Sequence, residues 1–98
     1  MRNMPFVYIL ECGDGSFYTG AALDWEKRLR EHRTGKGAKY TRGRQPLSVV
    51  FLHETATWSE ALAEEARIKK LRRPQKEKLI SSFDSRRTVS PAEAEIRN

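Results

Sequence analysis

A single cysteine, Cys12, is all that this 98-residue chain contains. That excludes an internal disulfide framework and any multi-cysteine zinc site, and it makes a reducing compartment the expected home. Cys12 itself is expected to fill space on a strand. Long apolar runs are missing too: no stretch approaches the ~20 residues that span a bilayer. Residues 1–5 lack the apolar core and small-residue cleavage site of a secretory signal. A soluble, cytoplasmic protein with no membrane partner is therefore expected. The sequence carries no Walker phosphate loop, no clustered Cys/His metal site and no Gly-x-Ser-x-Gly elbow. It also lacks the converging carboxylates that a two-metal nuclease normally needs. A chain this short buries one modest core, so residues 1–83 read as one domain and 84–98 as a polar, flexible tail.

Positive charge is what the chain has in excess. Lys and Arg number 19 against 13 Asp and Glu, a formal net charge of +6. The excess is uneven. Between 33 and 46 lie Arg33, Lys36, Lys39, Arg42 and Arg44 with no acid, and between 67 and 78 seven basic residues, Lys69 among them, face only Glu77. If the fold brings these blocks together, they form a surface that a polyanion favours through counterion release; apart, they are simply solvated.

Alternation over 6–12 predicts a strand with Phe6, Tyr8, Leu10 and Cys12 on one face and Val7, Ile9 and Glu11 on the other. Gly13-Asp14-Gly15 turns the chain into a second strand over 16–22. With a three-residue loop, Tyr8 and Tyr18 point to the same side of the sheet. Asp24 caps a helix to about Arg33, ended by Gly35. On it Trp25, Arg28, Leu29 and His32 share an inward stripe. Residues 34–45 read as a mobile loop rather than a buried element, and the continuous apolar run at 49–52 as a central, covered strand. Thr57-Trp58-Ser59-Glu60 is a capping box opening a helix to about Leu71, with Trp58, Ala61, Leu62, Ile68 and Lys69 sharing a face with Glu65. Pro74 opens a further helix through Phe83.

Five residues carry the candidate chemistry: Tyr8, Tyr18, Arg28, His32 and Glu65. Glu65 is a carboxylate in an apolar stripe, which needs positive company. Either Lys69, one turn on, pairs with it, or it faces a cleft and holds Mg²⁺ largely through waters and substrate phosphate. Arg28 and His32 are spaced to face one phosphate. The alternatives are a salt bridge from Arg28 to Glu11 or Glu31, and a His32 satisfied by backbone. Tyr8 and Tyr18 are core aromatics unless their hydroxyls find these partners, and a phenol near a cation is able to take a proton from water. Tyr40 either stacks on a base or lines the site from its loop. Lys36, Lys39, Tyr40, Arg42, Arg44 and Lys69 make up the expected nucleic-acid contact. His53 is expected to be structural.

Phe6-Val7-Tyr8 and Tyr18-Thr19-Gly20, followed by Arg28, His32 and Glu65 in that order, resemble the GIY-YIG nuclease family over about residues 5–80. The segments 36–42 and 68–71 look like its small stand-alone bacterial members. The resemblance implies an α+β fold in the order β-β-α-β-α-α, with a three-stranded antiparallel sheet flanked by helices. It also implies an endonuclease using one divalent cation, Mg²⁺ or Mn²⁺. By the same analogy Glu65 holds the metal and Arg28 neutralises the scissile phosphate. Tyr8, assisted by His32, handles the proton of the attacking water, and Tyr18 orients water or phosphate, although the two tyrosines could exchange roles. Phe6 and Thr19 depart from the motif's glycine and isoleucine, and Ala21-Ala22 stands where many relatives have a hydroxyl or Lys. No separate targeting domain fits in the chain, so selectivity is expected to be weak or supplied by a protein partner. DNA is favoured over RNA as substrate, in repair or processing. Two other classes share the charge pattern: a nucleic-acid-binding module that has lost efficient cleavage, and an interaction domain for an acidic protein.

Overall fold

The computed structural model describes residues 4–83, so the tail expected at 84–98 lies outside the described residues. In chain order the elements are β1 (Phe6–Glu11), β2 (Phe17–Ala22), α1 (Trp25–Arg33), a 3₁₀ turn (Lys39–Thr41), β3 (Ser48–Glu54), α2 (Trp58–Lys69) and α3 (Arg73–Ser82). This is the expected α+β arrangement, with all three strands antiparallel in one sheet.

Turn chemistry sets the hairpin. Cys12 N–H donates to Ser16 O (2.8 Å) and Gly15 N–H returns to Cys12 O (2.9 Å). Gly15 supplies the positive φ of 84° that closes so short a loop. The resulting register pairs Tyr8 with Gly20 and Leu10 with Tyr18, which puts both tyrosines on one face. That face packs under α1, where Tyr8, Leu10, Cys12, Leu29, Leu47 and Val49 form a core with Trp25 at its margin. Val7, Ile9 and Phe51 face the other way and pack with Ala61 and Ile68 of α2 and with Leu79 and Ile80 of α3.

Three expectations need correction. The strand order is β2-β1-β3, so the apolar run at 49–52 belongs to an edge strand and β1 is central. The run is continuous because helices cover both faces of β3. A register irregularity opposite Ile9 and Leu10 sends Val49 to the α1 side and Phe51, with Val50, to the α2 side. Secondly, the segment 34–45 is not a wholly exposed loop. Its 3₁₀ turn buries Thr41 completely. Thirdly, the inward stripe of α2 is narrower than the sequence suggests. Ala61 and Ile68 are fully buried, whereas Trp58 and Leu62 are 41% and 43% exposed. At about 100° per residue these two lie to the Glu65 side of the Ala61–Ile68 line, which turns them out to solvent on that flank.

The caps form largely as read. Asp24 Oδ1 accepts from Lys27 N–H (3.1 Å), and Thr57 Oγ1 accepts from Glu60 N–H (3.1 Å). Glu60 reaches back one residue further than in the standard box, accepting from Ala56 N–H at 3.0 Å.

Candidate active site

Gly20 creates the space in which the site is built. A Cβ there would stand 2.5 Å from Tyr8 Oη and 2.6 Å from Cζ, so the Tyr8 ring lies directly over the β2 backbone. Because β2 is an edge strand, the phenol is carried from the central strand towards the rim of the sheet. There it meets charges from both helical layers: Arg28 on α1 and Glu65 on α2 both act on it. A strand pairing and one missing side chain thus carry the phenol to where Arg28 acts on it strongly and Glu65 more weakly.

His32 lies beneath this phenol, with no exposed surface. Its Nε2 is 3.0 Å from Tyr8 Oη. Its Nδ1 is 3.1 Å from Thr41 Oγ1 and accepts from Ala38 N–H at 3.2 Å. Gln45 Nε2 donates to the His32 carbonyl at 2.9 Å. Burial, and then the charge of Arg28, push the imidazole down from 6.5 to about 4, so it is neutral at physiological pH. Backbone satisfies one nitrogen, as the structural alternative has it, and the other is turned to the Tyr8 hydroxyl and not to the surface.

The Tyr8 hydroxyl is only 4% exposed as a residue, and burial pushes its ionisation well above the ordinary phenol value. Tyr18 raises it further. Arg28 opposes both, by its charge and by side-chain hydrogen bonding. Arg28 is itself held by Glu31, with Nη1 to Oε1 at 2.9 Å, which keeps the guanidinium charged and aimed across the helix face. Of the two alternatives read for Arg28, the Glu31 bridge is present and the guanidinium still reaches Tyr8.

Glu65 is half-buried, its side chain 19% exposed, and its Oε2 is 3.0 Å from Lys69 Nζ. The ion pair read from the sequence is therefore present. Among the described residues no group of three or more His, Cys, Asp or Glu converges as a metal cage. The available donors are one carboxylate and phenolic oxygens. These are hard oxygen ligands and suit a cation such as Mg²⁺, which keeps most of its waters and takes one or two carboxylates plus phosphate oxygens.

Tyr18 completes the rim. Its ring packs edge-on against His32 (centroids 5.3 Å) and stacks with Tyr40 (5.8 Å, 29°). Tyr40 thus lines the site from its loop. The Arg44 guanidinium covers the Tyr40 ring at 4.1 Å, donates to Tyr40 O (2.8 Å) and pairs with Asp14 (3.1 Å). Arg44 therefore serves to hold the loop, while Lys36, Lys39 and Arg42 are exposed on it. Lys69 is exposed on α2 beside Glu65. His53 stacks on Phe51 at 6.4 Å, far from this cluster in role. Thr41, Ala38 and Asp14 were invisible as site residues in the sequence. A threonine or alanine in a polar, glycine-rich loop carries no periodic signal of burial.

A GIY-YIG catalytic-domain profile matches residues 4–78. The chain belongs to the GIY-YIG catalytic-domain family. This nuclease family supplies the context for the Tyr8, Tyr18, Arg28, His32 and Glu65 cluster. Among curated relatives, a UPF0213 protein of Streptococcus pneumoniae serotype 4 is 42% identical over 90 residues, covering 92% of this chain and 91% of its own. A UPF0213 protein of Oceanobacillus iheyensis is 52% identical over 80 residues, covering 82% and 93%. The solution NMR structure of EF2693 from E. faecalis superposes with a TM-score of 0.61 at 41% identity, covering 92% of this chain and 98% of that one. That of the UPF0213 protein BH0048 from Bacillus halodurans gives 0.56 at 43%, covering 93% and 92%. In this GIY-YIG domain the departures from the motif have distinct fates. Phe6 packs against Trp25 (6.3 Å), and Ala22 is buried in the α1-side core. Thr19 is buried with its hydroxyl lacking a hydrogen-bond partner among the described residues.

Proposed function

We propose that this GIY-YIG domain is a metal-dependent endonuclease that hydrolyses phosphodiester bonds in DNA, in repair or processing, with targeting supplied by a partner protein. The observation that carries the reading is the Tyr8 hydroxyl held between His32 Nε2 (3.0 Å) and Arg28, within reach of the Glu65 charge. Glu65 would hold the cation, displacing Lys69, and Tyr18 would help to orient the water or phosphate. Bound there, one divalent ion, Mg²⁺ or Mn²⁺, supplies positive charge to a phosphate oxygen and to the neighbouring phenol.

The chain's own residues then have distinct work. Arg28 offers a permanent charge and planar donors to the scissile phosphate. Tyr8 acts as general base from its phenolate, a form that burial disfavours and that the charges of Arg28 and of the bound cation would have to stabilise, the O–H proton passing to solvent. The phenolate takes one proton from the attacking water as the water oxygen bonds to phosphorus and the bond to the leaving oxygen breaks. That oxygen is reprotonated from bulk water. Lys36, Lys39, Arg42 and Lys69 bind flanking phosphates, and Tyr40 and Arg44 shape the loop that presents them.

A second reading, a nucleic-acid-binding module with little cleavage, draws on the Glu65–Lys69 pair, which leaves the carboxylate already neutralised. Cleavage of labelled single-stranded, duplex and branched DNA, with matching RNA, under Mg²⁺, Mn²⁺ or EDTA separates the two. Metal-dependent products from wild type that vanish with Glu65→Ala support the nuclease and identify its substrate. Salt-sensitive binding with no products from either protein supports the module.

A further inference from the structure

We infer that the loop segment 37–41 is a positioning device for the candidate base. It holds His32 in the tautomer that carries its proton on Nε2, so that His32 donates to the Tyr8 oxygen and does not take the Tyr8 proton. The catalytic consequence rests on the nuclease reading above; the tautomer follows from geometry alone.

A neutral imidazole has one donor nitrogen and one acceptor. Ala38 N–H is only able to donate, and it meets His32 Nδ1 at 3.2 Å. A proton on Nδ1 would set two N–H groups against each other beside a ring with no exposed surface. Nδ1 is therefore the acceptor, and the single ring proton sits on Nε2, 3.0 Å from Tyr8 Oη. Thr41 bears on the same nitrogen from the same turn. Its Oγ1 lies 3.1 Å from Nδ1 and 2.9 Å from Ala38 O, and it supports this assignment by turning its one proton to Nδ1 rather than to Ala38 O. Like His32, Thr41 is completely buried, which keeps water from exchanging the two ring nitrogens. Gly37 makes the close approach feasible, because a Cβ there would run into the His32 ring.

The groups facing His32 agree with a neutral donor. Tyr8 comes from β1, Tyr18 from β2, and Arg28 and Glu31 act on it from its own helix. With Nε2–H pointing at the Tyr8 oxygen, the phenol's own proton is directed away from His32. Once that proton is gone, Nε2–H and Arg28 both donate to the phenolate. Thr41 and the Ala38 amide are thus positioning residues: they touch no substrate and act through His32.

Long-range ¹H–¹⁵N correlation of the imidazoles in the full chain tests this, with the exposed His53 as internal comparison. The expected pattern for His32 is a protonated, pyrrole-type Nε2 and a bare, pyridine-type Nδ1. The reverse pattern would overturn the assignment, and this readout on wild type decides it even if a variant fails to fold. Thr41→Val, which deletes the hydroxyl at nearly constant volume, is expected to mix the tautomers and to lower kcat about 10- to 100-fold at unchanged KM. Thr41→Ser should restore both. A Thr41→Val protein with altered tautomers and wild-type kcat would sink the positioning role. If wild type shows the Nε2–H pattern but cleaves nothing, the nuclease reading fails while the tautomer assignment stands.

Discussion

Single residues show where this chain departs from an apolar packing solution. Thr19 is 3% exposed and its Oγ1 lacks a partner among the described residues. Leaving a buried hydroxyl unsatisfied costs roughly 1–3 kcal/mol. Thr19→Val should therefore raise the unfolding free energy by about 1 kcal/mol, read as a higher urea midpoint at unchanged slope. A lower midpoint would mean that the hydroxyl has a partner after all. His32 makes the opposite demand. Its imidazole titrates near 6.5 when unfolded and at about 4 in the fold. Between those values the unfolded chain binds a proton that the folded chain does not. Full stability is present above pH 6.5 and is lost as pH falls towards 4, on the order of 3 kcal/mol from this residue. Urea titrations across that window should show the fall in wild type and a flatter profile in His32→Gln.

Elements show how the site depends on backbone proximity. The β1–β2 pairing places Gly20 opposite Tyr8, and the phenol crosses β2 only because that position has no Cβ. Gly20→Ala is expected to cost about 1–3 kcal/mol through overpacking and to tip the Tyr8 ring away from His32. Loss of the Tyr8–His32 nuclear Overhauser contacts, with the hairpin amide shifts otherwise retained, would report it. Intact contacts would mean that the strand yields instead. Local periodicity made the strands, the helices, both caps and the shared face of Tyr8 and Tyr18 legible in the sequence. It also made Arg28 and His32 legible as a pair on the Leu29 side of α1, because an i, i+4 spacing fixes a shared face and the buried apolar neighbour marks which face it is. Three things were not legible. Strand order is non-local, so β3 read as central when it is an edge covered on both sides. Trp58 and Leu62 read as core because a helical wheel does not locate the neighbouring sheet. Thr41 was hidden because its burial arises from a loop folding back on His32 and not from any repeat.

At the scale of the molecule, 19 basic residues stand against 13 acidic ones, and among the described residues Lys36, Lys39 and Arg42 on the loop are exposed, as are Lys27, Arg30, Lys70, Arg72 and Lys78 elsewhere. Arg28 and Arg44 are committed to Glu31 and Asp14, so counting basic residues overstates the free positive surface. Exposed pairs such as these are worth about 0–1 kcal/mol each and should be read as positioning more than stability. Binding to DNA is expected to weaken steeply with salt. Lys39→Ala or Arg42→Ala should each reduce the slope of log K against log salt by about 1, uniformly across sequences. An unchanged slope would move the contact surface elsewhere. The central claim is that the phenol over Gly20 performs chemistry on a phosphodiester and does not merely pack. Its most direct test is the single-turnover cleavage rate of Tyr8→Phe against wild type under saturating Mg²⁺, with binding measured on the same substrate. A loss of about 100-fold or more in rate at unchanged affinity is expected, the size typical of removing one polar group from a transition state. Cleavage by Tyr8→Phe at the wild-type rate would contradict the account.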